Sequence, residues 1–524
     1  MADKVDITLV DRVKNELANL ISTSRRELKD CQYIDLRLGV GEGQRAMSQD
    51  GMSKFSLRDY RFSYGLRVIA GNGTTAVGYF GQPLGSADVY NLTGIIKHGL
   101  GKAYERAIAN SKAKTERLDT WKTLGQSLQS TELAPVKACR DAIPGVYRIN
   151  PLDVPLEAVG KLTQEASKAV AAYDPRVKVN QIMAQTSLNR ELLVNSEGAL
   201  IDRTYALTQG LCVVVAIGDG GVQQTHYDCI GHQRGWELLA DGIDEDMIRS
   251  KSLIDFALDL AADNVSLTDS RPCPSSDQDV VVVTDPHYNT LLVHEIIGHP
   301  TELDRALKLE TAYAGRSWLL RSLKENMLGK EIASPLVSAY SDPRFPGFGH
   351  YEYDDEGTPV ERVVHIDKGV FRGFMNSRQT AATLGVKPNG HYKATDASLV
   401  PLIRMSTTVF GAGQSDPQQM IKDVEHGYYV VGHRIPSISE SRENFRITSR
   451  KVFEIKNGKL GEMFRDGGIM ANTKDYLMSI DAVGNDLRIY PVFNCGKGQP
   501  MQAKKLGNGG PTLRGHARLV GGAK

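Results

Sequence analysis

Net charge is almost absent from this 524-residue sequence: 63 Lys and Arg stand against 62 Asp and Glu, a formal +1 at pH 7. A general polyanion binder carries a basic excess or stripe, so direct nucleic-acid binding is not expected. Long hydrophobic runs are missing too. No stretch approaches the roughly 18–20 uncharged apolar residues that cross a bilayer, and no membrane association is expected. The opening MADKVDITLVDRVKNELANL scatters charges through its apolar positions, unlike a secretory leader. Cysteine is sparse: Cys31, Cys139, Cys212, Cys229, Cys273 and Cys495 lie far apart with no paired framework. That pattern points to a reducing, cytoplasmic setting. No repeat recurs at the roughly 20–50-residue periods of solenoids.

What remains is ordinary globular material, 41% hydrophobic and 24% charged. The chain is too long for one core and suggests about two to four domains. Three units are expected, over residues 1–130, 131–245 and 246–524. The first reads as α/β: a helix over 9–24, strands over 33–40, 55–57, 64–70 and 75–79, and a helix over 87–112. GVGEG at 39–43 reads as a loop or hairpin, because it lacks the spacing and the Lys-Ser/Thr of a phosphate loop. Residues 111–132 read as a linker or solvated helix. The central unit reads as a helix ending near Tyr173, then short antiparallel strands over 177–185, 191–195, 199–207, 212–218 and 221–228. Gly and Asn turns divide these strands, with Asp219-Gly220-Gly221 as a hairpin turn. The last unit opens with a helix over 246–263 and is then β-rich, with strands expected over 337–340, 360–366, 370–376, 407–410, 428–432, 445–456 and 477–483. The fold class expected is therefore mixed α/β, or α+β, and multidomain.

The stretch 280–309 organises the chain. Four valines, Val280 to Val283, read as a buried strand ending at Thr284-Asp285-Pro286. A helix pattern follows at once, with Asp285 as N-cap and Pro286 at the first helical position, where a missing N–H costs nothing. Inside it lie His294, Glu295 and His299. Zinc peptidases commonly carry histidines four apart on one helix face; here they are five apart. On an ideal helix, at roughly 100° per residue, such side chains diverge by about 140° and cannot share an ion. A π-bulge or kink would realign them. Gly298 permits the distortion, and Pro300 breaks the regular hydrogen bonding.

Two histidines do not complete a zinc site, which prefers four N and S donors with one position left for water in an enzyme. His350, His365, His391, His426, His433, Cys495 and many carboxylates are open as further ligands. His226, Cys229 and His232 lie close in sequence but follow no recognised zinc spacing.

HEIIGHPTELD (294–304) and GNDLRIYPVFNCGKGQP (484–500) closely resemble the TldD branch of the TldD/PmbA metalloprotease family, also named for modulation of DNA gyrase. YSDPRFPGFGHYEYDDEGTP (340–359), PLIRMSTTVFGAG (401–413), the terminal LVGG, and the N-terminal YIDLRLGVGEG and YGLRVIAG are similar as well. The resemblance implies a zinc-dependent peptidase. It implies His294, His299 and Cys495 as Zn²⁺ ligands and Glu295 as the general base. It further implies small or unfolded peptides as substrates, bound in extended form. It also implies a dimer, either with a TldE/PmbA-type paralogue that lacks the motif or with a second copy. A non-hydrolytic binding subunit with a structural zinc is the alternative, and a gyrase-associated modulator is a third reading. The sequence departs from the family at Pro300, at CGKGQ (one residue short) and at 433–447, which lacks the usual glycine-rich form.

Other residues attract weaker expectations. Glu302 and Asp304 could orient a ligand histidine. Arg404 could grip a substrate carboxylate or backbone, or make a structural ion pair. Asp354-Asp355-Glu356 reads as a cation or amine site or, more simply, a solvated turn.

Overall fold

The computed structural model describes residues 4–117, 130–313 and 315–522. Of the expected linker or helix at 111–132, residues 118–129 lie outside the described residues.

Helix α1 (Leu9–Glu27) packs its buried Val10, Val13, Leu17 and Ile21 onto a seven-stranded sheet. The strands are β1 (Cys31–Gln49), β2 (Met52–Ala70), β3 (Ala76–Pro83), β4 (Arg140–Ile143), β5 (Val177–Asn195), β6 (Leu200–Ile217) and β7 (Gln223–His232). β1 pairs with both β2 and β5, so strands from either side of residue 130 share one hydrogen-bonded layer. Helices Leu92–Glu116 and Leu156–Tyr173 cover it.

GVGEG is not a loop: it runs through the middle of β1, with Gly41 opposite Arg61 and Gly43 opposite Asp59. The glycines serve close approach instead, since a Cβ on Gly43 would lie 2.8 Å from Ser187 Cβ on β5. The chain reverses later, at Asp50 and Gly51, whose φ of 51° and 77° suit a tight hairpin. The short strands expected over 177–218 are likewise fused into two long ones. Asn189 and Gly210 sit inside β5 and β6 rather than in turns.

The C-terminal half forms two further sheets. In one, β8 (Asp279–Thr284) runs parallel to Val282-facing Tyr428 of the strand His426–Ile438 and antiparallel to Leu513–Val520. Strands Asn444–Lys456 and Gly468–Asn472 complete the circuit, because Gly468–Asn472 pairs with both Asn444–Lys456 and Leu513–Val520. Five strands thus close a ring, a β-barrel region. The other sheet has six strands, ending with Thr407–Phe410, Gln502–Gly510 and the edge strand Arg488–Lys497. Leu292, Val293, Ile296 and Ile297 of the central helix are buried in the large core that both sheets share. Two expectations shift: the helix before β8 spans Leu253–Thr268, and Thr473–Ser479 is helical where a strand over 477–483 was expected.

Asp354-Asp355-Glu356 is no solvated turn. All three residues are buried, and they join the two halves of the molecule. Arg67 bridges Asp35 of β1 at 2.7 Å and Glu356 at 2.8 Å, while Asp355 meets Arg37 at 3.2 Å and Lys393 at 2.8 Å.

Candidate metal centre and catalytic cleft

The helix begins as its sequence dictates: the Asp285 carboxylate accepts the Tyr288 amide at 2.7 Å, with Pro286 at the first helical position. Regular α-helix lasts only to Val293. His294–Gly298 is a π-turn, and His299–Thr301 a 3₁₀ turn. The wider turn absorbs one extra residue, which cancels the angular misfit of histidines five apart. Their rings stand edge to face with centroids 4.6 Å apart. Gly298 contributes differently from expectation. Its φ and ψ, −59° and −60°, are ordinary helical values. It is the Met405 side chain that demands glycine, since a Cβ there would collide with Met405 Sδ.

The third member comes from the edge strand Arg488–Lys497. Cys495 Sγ lies 3.7 Å from His299 Nε2. The ligand atoms of His294, His299 and Cys495 all lie within 4.8 Å of one another, the one such group of His, Cys, Asp and Glu among the described residues. A tetrahedral zinc with bonds of about 2.0–2.3 Å holds its N and S ligands roughly 3.3–3.7 Å apart. The Cys495–His299 separation of 3.7 Å falls in that range, and two imidazoles with a thiol are donors that zinc favours.

Both imidazoles are held from behind. His299 Nδ1 donates to Glu302 Oε2 at 3.2 Å, which leaves Nε2 toward the thiol; the Asn508 carboxamide hydrogen-bonds His294 Nδ1 at 2.7 Å. Such partners set ring orientation and tautomer. Glu302 is itself tied to Arg305 at 2.7 Å, to the Met405 amide at 3.3 Å and to Lys497 at 3.3 Å. Asp304 accepts from Lys497 Nζ at 2.7 Å and from the Ile403 amide at 3.2 Å. Arg404 is fully buried and does not line the cleft. It donates to the carbonyls of Cys495 and Gln502, propping the hairpin that carries the thiol.

Charge follows the same plan. Burial works against ionising Glu295, but the Arg442 guanidinium with which it pairs, together with His299 and His294, outweighs this and holds the carboxyl below its ordinary value. Burial pushes the Cys495 thiol up, yet His299 and then Arg404 bring it below the usual thiol range. Burial lowers His294, keeping the ring neutral. A neutral imidazole and a readily lost thiol proton suit metal ligation. The group opens on a cleft of about 420 Å³ lined by Glu295, Arg442, His433, Tyr227 and Phe493 among others.

The remaining histidines do not join the cluster. His433 lines the cleft and stacks on His287; His365 bonds Ser341, and His350 bonds Glu352. His226, Cys229 and His232 lie along β7, with both histidines buried and His232 Nε2 lying 3.8 Å from Glu245 Oε2. Asn508, Lys497 and Arg442 carried no separate signal in the sequence. Lys497 lay inside the CGKGQP segment and Arg442 inside the 433–447 departure already singled out, whereas Asn508 reaches His294 through the parallel pairing of 407–409 with 507–509.

Two family models match: the PmbA/TldA metallopeptidase C-terminal domain over residues 277–515, and the central domain of the same family over 149–264. Together they span well over half the chain. The chain belongs to the PmbA/TldD metallopeptidase family. Among relatives, a "Metalloprotease" of Methanothermobacter thermautotrophicus is 28% identical over 491 residues, 94% of this chain and 96% of the relative. A "Zinc metalloprotease TldD homolog" of Saccharolobus solfataricus is 28% identical over 241 residues, 46% of this chain and 51% of its own length. The crystal structure of TldE from Thermococcus kodakarensis shares the fold, with a TM-score of 0.67 at 16% identity, over 96% of this chain and 99% of that one. No described helix of this PmbA/TldD metallopeptidase is long and apolar enough to cross a membrane.

Proposed function

We propose that this metallopeptidase is the hydrolytic, TldD-type member of its family: a zinc-dependent peptidase for small or unfolded peptides taken in extended form. His294, His299 and Cys495 hold the zinc, and Glu295 is the general base. The observation that carries this reading is the π-turn, which brings two histidines that a regular helix would separate into one group with Cys495, beside Glu295. A bound Zn²⁺ supplies Lewis-acid chemistry, polarising a carbonyl and acidifying water.

The protein's own groups do the rest. Glu295 accepts a proton from the attacking water and delivers it to the leaving amine. Glu302 and Asn508 keep the rings turned. The edge strand Arg488–Lys497 offers backbone groups beside the thiol, which suits extended peptides with little sequence preference. A dimer, with a TldE/PmbA-type paralogue or with a second copy, and a cytoplasmic setting belong to the same proposal. The six free cysteines support the latter. The division into units over 1–130, 131–245 and 246–524 belongs to the same proposal, with the first two sharing a sheet.

The test is Glu295→Ala in the zinc-loaded chain. Zinc content measured by elemental analysis should be retained, while cleavage of an unstructured peptide falls by about 10²–10⁴-fold. Undiminished cleavage would reject Glu295 as base. Retained zinc in a protein that cleaves nothing in either form would favour the alternative, a binding subunit with structural zinc.

A further inference from the structure

The turn joining strands His426–Ile438 and Asn444–Lys456 overhangs the cleft, and one residue of it points in. Arg442 has φ of 68°, a left-handed conformation that non-glycine residues adopt rarely and at a cost. The turn is held there from several sides. The Arg442 amide donates to Ser439 O at 3.0 Å, Trp318 donates its amide to Ser441 O at 3.0 Å, and the Thr473 amide and hydroxyl donate to Glu443 O and Arg442 O, each at 2.7 Å. The strained backbone aims the guanidinium at Glu295, and the ion pair they form leaves the two side chains only 6% and 10% exposed. Strain of this kind persists where the surroundings impose it, commonly at functional sites.

Glu295 adjoins His294 in the chain and shares the cleft with His299 and Cys495. A buried carboxylate there has two attractors, the cation on the turn and the ion its neighbours are built to hold. A general base must stay off the ion to receive a proton from water. We propose that Arg442 is the positioning residue for Glu295, holding its carboxylate away from the three-ligand cluster. This rests on the reading of Glu295 as base.

The experiment uses the full chain loaded with zinc or with Co²⁺. Arg442→Gly removes the guanidinium and suits the left-handed backbone, and Glu295, freed of its partner, can turn to the bound ion, so the zinc-loaded chain should still fold and hold its zinc. Its kcat should fall about 10²-fold, the scale for a misplaced catalytic group, with KM little altered. Millimolar guanidinium should restore part of kcat, and Arg442→Lys should retain an intermediate rate. The visible spectrum of Co²⁺-loaded Arg442→Gly should differ from wild type as Glu295 moves onto the ion. That difference should be absent when Arg442→Gly is added to Glu295→Ala. A wild-type kcat in Arg442→Gly overturns the proposal. So does a loss of kcat with neither rescue by guanidinium nor a spectral change, which would mark a merely structural arginine. An active Glu295→Ala would overturn the reading of the base itself, and an inactive one beside a fully active Arg442→Gly would overturn only the role of Arg442.

Discussion

Lys497 Nζ stands 2.7 Å from Asp304 Oδ1, both side chains buried, linking the strand of Cys495 to the turn just past His299. The same ammonium lies 3.3 Å from Glu302, the carboxylate behind the His299 ring. One lysine therefore couples two segments bearing candidate ligands that lie far apart in the sequence.

Lys497→Met should loosen that coupling. It leaves two buried carboxylates short of a cation, and losing one partner of a buried ion pair costs about 3–5 kcal/mol. Zinc affinity, measured by competition with a chromophoric chelator, should drop by about 10–100-fold. Adding Asp304→Asn should recover part of the loss, and additive losses would show that the two residues act separately.

Gly298→Ala should be damaging although alanine is the better helix former. The added methyl group meets Met405 Sδ, and Met405 gives its amide to Glu302. The expected outcome is a fall in zinc affinity of about tenfold or more, as misdirected support of a ligand produces. A Gly298→Ala, Met405→Ala double variant should bind more tightly than the single one. Unchanged affinity in Gly298→Ala would place the π-turn under some other control.

Mild acid should destabilise the protein before its paired carboxylates titrate. Burial lowers His226, His232 and His391 to about 3 and His365 to about 4. Each stays neutral in the folded chain and takes up a proton on unfolding. Their contribution is complete above the unfolded value near 6.5 and is lost as pH falls toward 4, by about 1.4 kcal/mol per pH unit for each group. Asp354, which burial and then Glu356 push up to about 8, works the other way, as do Asp35, Asp285 and Asp304, which burial also raises. Against them stand six histidines, since burial lowers His294 and His433 as well. The urea midpoint should therefore drop between pH 7 and pH 5, with a shallower fall in His391→Gln. Equal slopes for that variant and wild type would exclude His391.

The site was legible where local chemistry decides it. Asp285 and Pro286 announce a helix start, and histidines five apart can meet only if the helix is distorted. Cys495 could be chosen only through family resemblance, because nothing local distinguishes it from a buried free cysteine. Asn508 and Arg442 were illegible for a different reason: one depends on a parallel strand pairing, the other on a left-handed turn that no spacing rule foresees. In the fold, turn-forming residues misled. Gly41, Gly43, Asn189 and Gly210 look like strand breaks, yet they lie inside long strands where neighbours crowd close.

Arg67 divides its charge between Asp35, from the first strand, and Glu356, from the half that bears the metal cluster. A truncated gene product beginning near residue 277 would keep all three candidate zinc ligands and still lose that arginine, together with Arg37. Glu356 and Asp355 would then be left at an uncovered surface with fewer counterions. The half that bears the metal cluster thus draws part of its charge compensation from its N-terminal neighbour, and the two halves are tied electrically as well as by packing.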